Sequence, residues 1–96
     1  MPQGDVIGMV WYKREDYERI RSICDDGAHF HATYDEWLEE AETCRKHLEG
    51  DGVRVVCADL DPDRFLALCK TKGMRPNAST RNWIAHDAAH RALRQG

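Results

Sequence analysis

The chain has 96 residues, 32% of them charged, with a mean hydropathy of −0.70 and a formal net charge of −3. These values exclude a membrane-spanning protein and point to one globular domain, residues 1–96, living in water. A chain this short buries only roughly 60–65% of its unfolded surface, so its core is expected to be modest.

Residues 1–4 are expected to be loose, and Gly4 and Asp5 interrupt any leader pattern, which makes the cytosol the expected location. Residues 5–12 (D-V-I-G-M-V-W-Y) are an apolar run without helical period, as in a buried strand. Gly8 inside that run signals a close backbone approach or a bulge. Residues 13–26 then read as a helix, with Tyr17, Ile20, Ile23 and Cys24 at helical spacing and Gly27 as its stop. After a connector at 28–32, Thr33 and Glu36 form a capping box that opens a helix to about residue 49. Its apolar stripe is Tyr34, Trp37, Leu38, Ala41, Cys44 and Leu48.

The second strand, residues 53–60, is valine-rich and runs into Asp61-Pro62, a cap followed by a residue preset for the first helical turn. The helix from Pro62 turns Phe65, Leu68 and Cys69 inward and closes at Gly73. A last helix begins near Ser79, with Ile84, Ala85, Ala88, Ala89, Ala92 and Leu93 on one face. The expected fold is therefore α/β, in the order β-α-α-β-α-α, with a two-stranded parallel sheet and four helices. Such a sheet has two open edges, and dimerisation across a two-fold axis would complete it into four strands. Trp11 and Tyr12 are the expected contact, because aromatic residues are enriched in interface cores. Charge adds a second motive. Residues 1–52 hold 13 acids against 6 bases, and residues 53–96 hold 4 against 8, so the two halves attract each other within a chain or between chains.

Cys24, Cys44, Cys57 and Cys69 include no C-x-x-C pair, and each lies on an apolar face, so four free core thiols are expected. His86-Asp87-Ala88-Ala89-His90 resembles the H-E-x-x-H signature of zinc metalloproteases, since histidines four apart share a helix face. It departs at Asp87, which is shorter than the glutamate that serves as general base. His29 and His31 would complete a tetrahedral zinc site with His86 and His90 if the connector folded over the last helix. Residues 65–90 are similar in outline to the nucleic-acid-binding SAP motif, which would send Arg81, Arg91 and Arg94 to phosphates. Asp59, Asp61 and Asp63 sit where ligands gather at the carboxyl ends of parallel strands, but capping and dipole roles account for the last two.

Together the segments W-Y-x-R-x-D-Y, T-Y-D-E-W-L and D-P-D-R-F-L resemble a small uncharacterised bacterial protein family, and the resemblance implies no activity. With no complete catalytic set, the expected function is a non-enzymatic interaction or regulatory module. It would act as a homodimer or with a protein partner. Nucleic-acid binding through the basic half and zinc binding through the histidines are the alternatives.

Overall fold

A computed structural model describes residues 5–95. The expectation for residues 1–4 lies outside them. Strand β1 (Val6–Trp11) is followed by α1 (Arg14–Ile23), a 3-10 turn (Gly27–His29) and α2 (Tyr34–Gly50). Strand β2 (Arg54–Asp59), α3 (Pro62–Lys72) and α4 (Ala78–Gln95) complete the chain. The strands pair in parallel, from Val6 beside Arg54 to Trp11 beside Asp59. The expected fold is thus present, and helix takes up more than half of the chain.

Strand alternation assigns Val6, Gly8 and Val10, with Arg54, Val56 and Ala58, to one face of the sheet. Helix α4 lies on that face. A Cβ on Gly8 would stand 1.8 Å from the carbonyl oxygen of Ala85, so the glycine marks a backbone-to-backbone approach rather than a bulge. Helix α2 serves the opposite face, where the Trp37 ring meets Trp11 edge-on at 5.2 Å and the Val53 N–H donates to the Leu48 carbonyl at 3.0 Å. The result is helix, sheet, helix in three layers, with α1 and α3 packed together beyond the carboxyl ends of the strands.

The core lies at that end. Tyr12, Tyr17, Ile20, Cys24, Leu60, Phe65 and Cys69 form one buried cluster, with Trp37, Phe30 and Ile84 packed on it. Each large side chain buried there contributes roughly 1.5–3 kcal/mol of transfer free energy. Local signals fix the element ends. The Glu36 N–H donates to Thr33 Oγ1 at 3.1 Å, and the Thr33 N–H donates to Glu36 Oε1 at 3.1 Å, closing the capping box. Asp61 accepts from the Arg64 N–H at 2.9 Å, and Gly73 ends α3 with a φ of 67°.

Several expectations need correction. Helix α1 stops at Ile23, not at residue 26, and Gly27 is not its stop but a buried turn residue. A Cβ there would lie 2.0 Å from the Arg21 carbonyl oxygen. Helix α4 does begin near Ser79 as expected, at Ala78, where Asn77 accepts the Thr80 N–H at 3.2 Å. Only Cys24 and Cys69 are core thiols. Cys44 and Cys57 are exposed, because one helix per face leaves the margins of the sheet uncovered. The SAP-like outline also fails to materialise as a helical pair, since α3 packs on α1 while α4 packs on both strands.

Candidate functional site

Two places on the molecule hold chemistry worth weighing. The first is the junction at the carboxyl end of β1. Arg75 donates to the Asp25 carboxylate from Nε at 3.0 Å and Nη2 at 2.7 Å. Arg81 donates to Asp26 from Nη1 at 2.9 Å and Nη2 at 2.7 Å, and the Asp25 N–H donates to the Pro76 carbonyl at 2.7 Å. These bonds tie the turn after α1 to the start of α4. The Arg81 side chain is only 11% exposed, and its guanidinium lies over the Phe30 ring at 4.8 Å. Burial pushes the Tyr12 phenol up to about 12, against a smaller lowering from the Arg81 charge. Burial likewise raises the Cys24 thiol, while hydrogen bonds from Arg81 hold Asp26 below the ordinary carboxylate value.

Beside this junction, Tyr12, Tyr17, His29, Phe30, His31, Trp37 and Arg81 line a pocket of about 160 Å³. That is room for one small ring at most. Its polar groups are largely engaged already: the Tyr17 hydroxyl donates to the His31 carbonyl at 2.7 Å, and His31 pairs with Glu40.

The residues singled out by sequence disperse. His29 and His31 line this pocket, whereas His86 and His90 line a groove beside β1. Among the described residues, no group of three or more His, Cys, Asp or Glu side chains is arranged to hold a metal ion. Arg81 is locked to Asp26 and cannot meet phosphates without breaking that pair. Arg91 pairs with Asp87 one turn away at 2.9 Å, and Arg94 is exposed. Asp61 caps α3, Asp63 pairs with Arg19, and Asp59 is exposed at the end of β2. Tyr12, at 5% exposure, belongs to the core rather than to a contact surface. Trp11 is half-buried between Trp37 and the Arg45 guanidinium, which lies 5.3 Å from its ring.

The second place is the free edge of β1. At the two ends of the sheet, the Arg54 N–H donates to the Asp5 carbonyl at 2.8 Å and the Leu60 N–H donates to the Trp11 carbonyl at 3.0 Å. The odd-numbered residues of β1 therefore face β2, and the N–H and C=O groups of Val6, Gly8 and Val10 point away from it. Nothing charged lies between Asp5 and Lys13 along this edge. On the α4 side a groove of about 250 Å³ runs beside it, lined by Val6, Ile7, Ala85, Ala89 and Leu93 among others. Ile7 and Leu93, 38% and 54% exposed, are two of the four large apolar side chains left in the open among the described residues. On the α2 side, Met9, Val10, Trp37, Ala41 and Cys44 help to line a recess of about 290 Å³.

Sequence reasoning expected an open strand edge but placed the contact at Trp11 and Tyr12 rather than along Val6, Gly8 and Val10. The available signal was Leu93, which prolongs the apolar stripe of α4 in step with the start of β1. No protein-family model, curated protein or solved structure matches the chain. No helix among the described residues is long and apolar enough to cross a membrane.

Proposed function

We propose that this chain is a non-enzymatic interaction module of the cytosol, which receives an extended protein segment along the edge of β1. One observation carries the reading: an uncharged strand edge with outward N–H and C=O groups at Val6, Gly8 and Val10, bordered by exposed Ile7 and Leu93. An added strand draws affinity from main-chain hydrogen bonds and selectivity from the pockets that receive alternate side chains. The grooves on either side of the edge supply such pockets. Nucleic-acid binding has less support, because Arg81 is committed to Asp26.

The test is fluorescence anisotropy of a labelled peptide alternating Thr and Val, held at a trace level while the protein is titrated. Binding is expected, with loss on Ile7→Lys and none on Cys57→Lys. No binding while the protein is dilute enough to be monomeric, or equal loss with both variants, overturns the reading. So does a measured turnover that is abolished by substituting Asp59, His86 or His90.

A further inference from the structure

Resting on that reading, we infer that the segment received by β1 is β1 of a second copy of this chain, antiparallel, with Gly8 facing Gly8 of the second copy across a two-fold axis. The hydrogen-bond phase selects this register. An antiparallel strand exchanges both bonds between directly opposed residues, so outward groups must face outward groups. The outward residues Val6, Gly8 and Val10 are symmetric about Gly8. Pairing Val6 with Val10, Gly8 with Gly8 and Val10 with Val6 satisfies every one of them. A slip by one residue opposes inward groups, and a slip by two leaves pairs unmade.

Charge selects the same direction. Exposed Asp5 stands at one end of the edge and exposed Lys13 just past the other. An antiparallel copy brings Asp5 of one chain to the Lys13 end of the other, within diagonal reach along the ladder. A parallel copy would set like charge beside like. Helix α4 packs on both strands and α2 mainly on β2, so a two-fold copy brings the α4 helices closer together than the α2 helices. In that arrangement Ile7 comes opposite Met9 of the second copy, and the α4 helices become neighbours along the groove that Leu93 lines. The β2 edge offers no such match. Arg54 opens it, Asp59 ends it, and the Arg45 guanidinium lies 4.0 Å from Cys57 Sγ.

Light scattering on the untagged full chain between about 1 and 100 µM, with amide exchange by NMR, tests the inference. The expected result is a mass near twice 11.1 kDa at the upper concentrations. Slow exchange at Val6, Gly8 and Val10 should disappear on dilution, while Val55, Cys57 and Asp59 exchange fast throughout. Val6→Pro removes an N–H that the intrachain ladder does not use, and Ile7→Lys places a charge on the edge. Each is expected to weaken association about tenfold or more, with the circular dichroism of the monomer unchanged. A mass of 11.1 kDa at every concentration overturns the second copy. In that case the Thr/Val peptide decides separately whether the edge reading survives. A dimer indifferent to both variants, or one protecting Val55, Cys57 and Asp59, also overturns it.

Discussion

The two strands have the same length and lie in one sheet, yet their outer edges are built on opposite plans. The β2 edge is guarded: Arg54 and Asp59 stand at its ends, and Arg45 folds down from α2 beside Cys57. The β1 edge, from Val6 to Trp11, has no charge at all and leaves Ile7 in the open. Charged side chains on an edge discourage pairing with other chains. A domain with no use for either edge would be expected to guard both. The asymmetry teaches that openness at β1 is not a general consequence of a two-stranded sheet, because the neighbouring strand shows how the same chain closes one.

The contrast breaks most severely at the paired positions Gly8 and Val56. Gly8→Ala drives a methyl into the Ala85 backbone, so α4 must lift from β1, at a cost of about 3 kcal/mol or more. Val56→Ala only removes methyl groups from the same face and is expected to cost roughly 1–2 kcal/mol. Chemical denaturation of both variants measures the difference, and equal midpoints would refute the close approach.

Next comes the anchor that holds α4 over the end of β1. The Arg81 and Asp26 side chains are 11% and 26% exposed, so Asp26→Asn is expected to cost about 2 kcal/mol, below the figure for a fully buried pair. Hydrogen bonding to Arg81 lowers the Asp26 pKa in the folded state from 3.8. Its contribution is therefore complete well above that value and is lost as the pH falls through the folded-state pKa. Melting temperature against pH should drop on the acid side in the wild type and less steeply in Asp26→Asn. Parallel curves would show that the pair is not what titrates.

A smaller effect sharpens the comparison from the guarded side. Arg54→Val removes a charge from β2 and is expected to promote association, whereas Ile7→Lys opposes it on β1, each by about tenfold. Light scattering of the two variants reads both. The smallest effect is a rate difference among thiols. Cys44 and Cys57 should react with a thiol reagent at once, and Cys24 and Cys69 only on unfolding, since burial raises the last two. Four equal rates would contradict the packing of the core.

Order, strand direction and helix number were legible because each boundary has its own chemical mark, such as the Thr33 and Glu36 box or Asp61-Pro62. What escaped depended on where helices cross. Nothing local distinguishes Gly27, buried against the Arg21 carbonyl, from a glycine that ends a helix. Arg81 reads as one more base on a basic face until Asp26 is placed beside it. The same holds for Cys57, whose apolar neighbours give no sign that α2 will leave it uncovered. The edge itself was half legible. Its apolar content is plain in the sequence, but which residues turn their N–H groups outward follows only from the register with Arg54.

The Gly8 and Ala85 backbones that meet in the sandwich lie far apart in sequence, and this bears on the order of folding. The rings of Tyr12, Tyr17, Phe30, Tyr34 and Trp37 contact one another within a short span, a low-entropy closure available early. The sheet must wait for β2, and the face of β1 holding Val6, Gly8 and Val10 must wait for α4. During synthesis on the ribosome, β1 is thus an orphan strand until α4 has emerged, and a nascent-chain binder is expected to find it in that interval.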